Sequence, residues 1–378
     1  MRSFSTTLLV LLLLVPASAA AEHDAFALGG GEVWVGPETG GHGVARVVWR
    51  WSPDRAPTEF ELDYNTDTLR VGLSRVPLAD RLAFHVVAAG EYPFAGLLPD
   101  YFRGGERLAG RGFNAGYVSL TTGVEWQPKP HFVRLDVTGR RWFFGRTGQT
   151  ADALQLPPQA WVLEPRIHYT YWNVAPDSSQ WQPHQPFMRI EGLAAGATVG
   201  TDLRSTTRPW GARAGAFRPR DTRNTPNNPV FLVRQWARYG VTVAGPLRLQ
   251  FSERAAWGWG EDDLTRDRVG GMNRYVVPVA GLPWAALLSG RYVAGQIEVR
   301  FAVPGDHELG VFADGAVVND IERTGDLETF APTAGYGVMA DLRFGDWKTD
   351  VRFGRAVGDD WLTAQPGFSG WVSVRRRF

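Results

Sequence analysis

Residues 293–303 read Val-Ala-Gly-Gln-Ile-Glu-Val-Arg-Phe-Ala-Val, and the period of this run decides the fold. Val293, Gly295, Ile297, Val299, Phe301 and Val303 occupy the odd positions, while Gln296, Glu298 and Arg300 take even ones. Successive side chains of an extended strand point to opposite faces, so a repeat of two gives one greasy face and one polar face. The split recurs along the chain. Ala334, Tyr336, Val338, Ala340, Leu342 and Phe344 oppose Gly335, Gly337, Met339, Asp341 and Arg343. Trp347, Thr349, Val351 and Phe353 oppose Lys348, Asp350 and Arg352, and Trp161, Leu163, Ile167, Tyr169 and Tyr171 oppose Glu164, Arg166, His168 and Thr170. The expected fold class is all-β.

A soluble sandwich alternates too, so the contents of the two faces decide between it and a membrane barrel. The apolar faces end repeatedly in aromatics, as at Phe251, Trp257 and Trp259 or Tyr336 and Phe344, which suits girdles at two membrane interfaces. The polar faces carry Arg, Glu, Asp and Gly, and the only lysines are Lys129 and Lys348. A nearly lysine-free, Gly-rich face fits an enclosed lumen with paired charges better than a solvated surface. Lipid offers no partner to backbone N–H and C=O groups, so the strands have to close into a transmembrane antiparallel β-barrel.

Alternation predicts sixteen strands, near 43–51, 58–64, 67–76, 81–90, 112–126, 131–145, 160–172, 186–196, 208–217, 230–244, 247–259, 292–303, 307–318, 332–344, 347–356 and 367–378. Tight turns at Ala244-Gly245-Pro246, Pro304-Gly305-Asp306 and Gly345-Asp346 fit periplasmic connections, and 260–291 reads as extracellular. The count carries one conflict. It puts the short Gln127-Pro128-Lys129-Pro130 turn at the extracellular end and the long 91–111 stretch at the periplasmic end.

The N-terminus predicts export. Arg2 precedes an apolar run from Leu8 to Val15, and Ala17-Ser18-Ala19 or Ala19-Ala20-Ala21 offers a small-x-small cleavage pattern. Residues 1–21 are expected to be a cleaved signal peptide and 22–378 the barrel. Forty basic side chains against 39 acidic ones argue against a nucleic-acid partner, which needs a basic excess. The absence of cysteine removes disulfides, thiolate metal sites and cysteine nucleophiles.

No cofactor, metal site or enzymatic activity is expected. His23, His42, His85, His131, His168, His184 and His307 show no HExxH spacing, and Glu261, Asp262 and Asp263 have no partner pattern for a metal. No Gly-x-Ser-x-Gly elbow occurs, although that test does not cover strand-borne serines such as Ser119 or Ser252. Gly29-Gly30-Gly31 and Gly104-Gly105 lack the context of a phosphate loop and read as flexible loops.

The C-terminus is the most specific local feature. Phe368, Gly370, Val372, Val374 and terminal Phe378 alternate with Ser369, Trp371, Ser373, Arg375 and Arg377. A terminal Phe after alternating apolar residues resembles the C-terminal assembly signal of bacterial outer-membrane barrels, which implies that cell compartment. Arg376 interrupts the apolar face near the end, where a long cationic side chain can snorkel to periplasmic headgroups.

A second resemblance covers the last hundred-odd residues. Gly270-Gly271-Met272-Asn273-Arg274-Tyr275, then Gln296-Ile297-Glu298-Val299-Arg300-Phe301, then Phe312-Ala313-Asp314-Gly315, resemble the barrel of the outer-membrane assembly-factor superfamily. That superfamily includes the barrel subunit of the BAM machine, its TAM relative, two-partner secretion transporters and bacterial surface antigen proteins. Its long sixth extracellular loop folds into the lumen and sets an Arg against acids on strands twelve and thirteen. The resemblance implies Arg274 and Tyr275 at the loop tip, with Glu298 and Asp314 as the receiving carboxylates. Alternation independently puts both acids on the polar face. Two departures stand out: no glycine separates Arg274 from Tyr275, and sixteen strands leave no room for POTRA domains.

The resemblance further implies a role in outer-membrane biogenesis or in protein or lipid insertion or export. Outer-membrane lipids, the assembly machinery and periplasmic chaperones are the implied partners. The alternative is a passive porin-like channel favouring anions, with Arg234, Arg238, Arg248, Arg254, Arg300 and Arg343 lining the lumen.

Overall fold

The computed structural model of the chain describes residues 24–36, 40–52, 58–65, 68–91, 102–103, 106–107, 111–174, 190–212, 223–224, 227–262, 264–271, 277–282, 287–319, 330–357 and 367–377. The expected signal peptide lies outside them. Sixteen strands form one closed antiparallel sheet in chain order. They are β1 (Asp24–Gly36), β2 (Gly40–Ser52), β3 (Glu59–Asn65), β4 (Thr68–Ala79), β5 (Leu82–Glu91), β6 (Arg111–Trp126), β7 (His131–Thr150), β8 (Trp161–Val174), β9 (Gly192–Arg204), β10 (Val230–Ala244), β11 (Leu247–Trp259), β12 (Arg291–Val303), β13 (His307–Val318), β14 (Ala331–Phe344), β15 (Trp347–Ala356) and β16 (Phe368–Arg377). β1 closes the sheet against β16, from Phe26↔Arg377 to Val35↔Phe368.

Three segments differ from the sequence expectation. Asp24–Gly36 pairs on both sides as β1, so Gly29, Gly30 and Gly31 lie in a barrel strand and not in a loop. Conversely, among the described residues of the expected strand 208–217, Trp210–Ala212 pairs outside the ring, in a small sheet with Leu154–Gln155 and Arg223–Asn224. The ninth strand also runs later than expected, over Gly192–Arg204 instead of 186–196. Local alternation cannot tell a strand that joins the ring from one that pairs above it. This exchange of one strand for another reverses the direction of the strands between them and removes the conflict at 127–130 and 91–111. The tight turns 80–81, 127–130, 245–246, 304–306 and 345–346 now share one rim, here the turn rim, with the longer 175–191 connection, while the long connections 92–110, 205–229 and 260–290 share the other, the loop rim, with the short 37–39 and 66–67.

Side chains sort by the period-two rule, but inside out relative to a soluble protein. Leu120, Ile167 and Val338 are 55%, 54% and 58% exposed on the outer face, whereas Glu298, Arg352 and Arg300 are 0%, 1% and 2% exposed within the lumen. Aromatics ring the turn rim at Trp126, Phe344 and Trp347. Val338 lies midway along β14, so Val338→Arg in lipid vesicles is expected to cost about 2–4 kcal/mol of unfolding free energy. A cost near zero in reversible chemical unfolding would mean that this face meets water.

Candidate functional site

The inner wall of β11–β15 carries a continuous charge network. Glu298 on β12 is its centre: Oε2 accepts from Arg300 Nε at 2.8 Å and Nη2 at 2.5 Å and from Gln250 Nε2 at 3.2 Å, while Oε1 accepts from Arg352 Nη1 at 2.7 Å. Arg300 Nη1 continues to Asp341 at 2.8 Å and Glu308 at 3.2 Å. Arg248 also bonds Glu308, Lys348 approaches Asp341 at 3.6 Å, and Arg352 Nε reaches Asp350 at 3.3 Å. A carboxylate stripped of water is tolerated only when charge-assisted bonds replace the lost hydration, and Glu298 has both oxygens occupied. Across the barrel, Asp136 on β7 takes His85 Nε2 at 2.7 Å, His168 Nε2 at 3.1 Å and Arg134 Nε at 3.0 Å.

The connection between β11 and β12 turns back into the lumen. Its limbs pair at Val269↔Val277 and Gly271↔Val279, and Asp267–Val269 pairs with Leu287–Ser289. Val269, Val277, Val279, Leu282 and Leu287 are buried against the inward residues Tyr292, Ala294, Ala316, Val318 and Ala356. Two backbone amides fasten it. Ala280 N–H donates to both Asp314 oxygens at 3.1 and 3.2 Å, and Gly281 N–H donates to Ser369 Oγ on β16 at 2.7 Å. The fit requires two glycines. Gly281 has φ +76°, and a Cβ there would lie 1.8 Å from Ala356 N. A Cβ on Gly335 would lie 2.4 Å from Ala280 O.

A second clamp holds the loop at its base. Asp262 is buried and accepts two bonds from Arg204, both at 2.8 Å, one from Trp210 Nε1 at 3.0 Å and one from Thr265 Oγ1 at 3.0 Å. Burial opposes its charge, but the Arg204 bonds outweigh that and hold the carboxyl below the usual range. Glu261 behaves in the opposite way: burial, reinforced by the Asp267 charge, pushes its carboxyl up to about 7.

Arg274 and Tyr275, expected at the loop tip, lie outside the described residues, as does Phe378. Glu298 and Asp314 both face the lumen, but apart: Glu298 is held by guanidiniums of its own wall, and Asp314 holds the loop through a backbone amide. Phe368 and Val372 face outward on β16, and Gly370 and Val374 follow on the same side. Sequence reading missed Arg352, Gln250, Ser369 and the Asp262 clamp. Their inward alternation was visible, their partners were not. Of the arginines assigned to an anion path, Arg234 is paired with Asp267, Arg248 with Glu308, Arg300 with Glu298 and Arg343 with Asp306. Among the described residues no group of three His, Asp or Glu side chains is placed to hold a metal.

Two substitutions test this arrangement. Glu298→Gln leaves Arg300 and Arg352 facing a neutral amide and is expected to cost about 3–5 kcal/mol in equilibrium unfolding; a loss below about 1 kcal/mol would mean that water screens the network. The folded pKa of Glu261 lies above its ordinary 4.5, so ionisation works against the fold, and stability is lost as pH rises from there through about 7. Glu261→Gln is therefore expected to flatten the fall in Tm across that window, and an unchanged slope would acquit Glu261.

No family model matches the sequence, and no curated protein matches it. Solved structures do match in fold. The BamA barrel from Haemophilus ducreyi lacking POTRA domains 1–3 superposes with a TM-score of 0.58 at 9% identity, over 93% of this chain and 70% of that one. CdiB from Escherichia coli gives 0.57 at 11% identity, over 93% of this chain and 63% of that one. CdiB from Acinetobacter baumannii gives 0.55 at 10%, over 94% and 60%. The chain thus spans less than two thirds of the CdiB chains it resembles. With its strand order and its inward-folded loop, the chain shares the fold of these BamA and CdiB barrels.

Proposed function

We propose that this protein is an integral outer-membrane barrel that takes part in the insertion or export of proteins or lipids, with the 260–290 loop as an internal plug and the β1–β16 seam as the place where the wall opens. The observation that carries this reading is the loop itself, packed on the inner wall and bonded to β13 and to the seam strand β16 through Asp314 and Ser369. Carboxylate pairing of Arg234, Arg248, Arg300 and Arg343 also reduces the positive charge that an anion-selective pore would use. On the other side of the seam, Gly29, Gly30 and Gly31 oppose Val374, Ser373 and Val372, so backbone bonds dominate the pairing there. Side-chain packing adds little at that point.

The chain has no cysteine, so the seam can be locked selectively. Gly30 and Ser373 are register partners, and a Gly30→Cys, Ser373→Cys double variant can be closed by oxidation. In cells depleted of the parent, loss of several unrelated barrels or of a defined surface lipid is expected. The reduced variant should restore them and the oxidised variant should not. Equal complementation by the oxidised form would reject seam opening, and an unchanged envelope with altered small-solute uptake on depletion would favour the channel.

A further inference from the structure

The guanidiniums of this barrel fall into two populations. Those facing the lumen are largely matched, as Arg166 is to Asp202, Arg204 to Asp262, Arg234 to Asp267 and Arg300 and Arg352 to Glu298. Arg141, Arg291 and Arg355 are different. No carboxylate pairs with any of the three among the described residues. Their register partners show that they point outward: Arg141 stands opposite exposed Val118 and Trp161, Arg291 opposite exposed Trp257, and Arg355 opposite exposed Phe368.

Each guanidinium lies over the ring of that outward aromatic. The distance from Cζ to the ring centroid is 5.4 Å at Arg141–Trp161, at Arg291–Trp257 and at Arg355–Phe368. A ring holds a guanidinium by its face and leaves N–H groups at the edge of the fork available to an anion. Arg291 spends Nε on the Gly258 carbonyl at 3.3 Å, and among the described residues no bond engages its terminal nitrogens.

All three pairs sit where a ring strand begins on its loop side, β8 at Trp161, β12 at Arg291 and β16 at Phe368, although β7 itself continues nine residues past Arg141 to Thr150. On β12 the outward face runs from Arg291 to Phe301, ten residues on, or roughly 33 Å along the strand. With the usual tilt this spans about 25 Å, the height of an outer-membrane apolar band, so the arginines stand at its boundary. The pairs recur on β7/β8, β11/β12 and β15/β16, four strands apart and thus separated by about 19 Å across the sheet. One headgroup cannot reach two of them. At the turn rim the described outward cation over a ring is Arg376, 5.1 Å from Trp347.

We infer that the loop rim carries three separate sites for phosphate-bearing lipid headgroups of the outer leaflet: Arg141 with Trp161, Arg291 with Trp257 and Arg355 with Phe368. The phosphate oxygens accept the free guanidinium N–H groups in charge-assisted bonds, and the acyl chains lie on the apolar strands below. This rests on the membrane placement proposed above, with the loop rim outermost. An annular shell of lipids fixed at three points would orient the barrel in its leaflet.

The test is native mass spectrometry of the full-length, delipidated barrel titrated with a bisphosphorylated, acylated glucosamine disaccharide, with its dephosphorylated counterpart and with inorganic phosphate. The parent should retain up to three phosphorylated lipids. Arg141→Gln, Arg291→Gln and Arg355→Gln should each remove one, and the triple variant should bind at least about tenfold more weakly. Arg376→Gln, on the opposite rim, should retain all three. Retention that ignores the phosphates, or that survives in the triple variant, would overturn the assignment, as would equal occupancy by inorganic phosphate alone. Heat-modifiable migration of each variant checks that it is folded. Membrane fractionation separates the two ideas: a parent absent from the outer membrane would sink the placement, while a correctly placed parent whose lipid count the triple variant leaves unchanged would sink the three sites only.

Discussion

Pairing of the first strand with the last is the constraint on which everything else in this molecule depends. An open edge presents a row of unpaired N–H and C=O groups, which water can satisfy and hydrocarbon cannot. Once Phe26–Val35 lies along Phe368–Arg377, each strand has two neighbours and each side chain is committed to the outside or the inside. The outside can then be almost wholly apolar. The inside of a ring this wide is not filled by an apolar core, which leaves room for charged wall side chains, for a folded-in loop and for water.

The occupants are of two kinds. Along β11–β15 the wall carries charges that neutralise one another, with Glu298 shared between Arg300 and Arg352 and the chain of contacts running on through Asp341, Glu308 and Asp350. Such a network contributes little net stability relative to a packed apolar core, because desolvation of each ion offsets most of the attraction. Its consequence is geometric. The carboxylates and guanidiniums fix one another's rotamers and keep that half of the wall rigid beneath the loop.

The loop is the second occupant, held by apolar side chains packed on the wall and, at two points, by its backbone amides. Asp314 and Ser369 receive the N–H groups of Ala280 and Gly281, and the approach is close enough that neither Gly281 nor Gly335 could carry a Cβ. Because Ser369 lies on β16, the same contact joins the plug to the strand that closes the ring. Movement of one is therefore felt by the other.

Alternation along 293–303, 334–344 and 347–355 was enough to predict strands, to separate outward Ile297 and Val338 from inward Glu298 and Asp341, and to require closure, because a period of two is a property of the extended chain alone. Where side chains were lacking the reading failed. Three consecutive glycines hid β1, and Trp210 lent a loop segment the look of a strand. What the sequence by itself determined is the sorting of residues between lipid and lumen. Which lumen residues meet was decided by tertiary structure: Glu298 finds Arg352 and Ala280 finds Asp314 only because strand register and barrel curvature set distant segments face to face. Register is a property of the whole ring, and no local pattern encodes it.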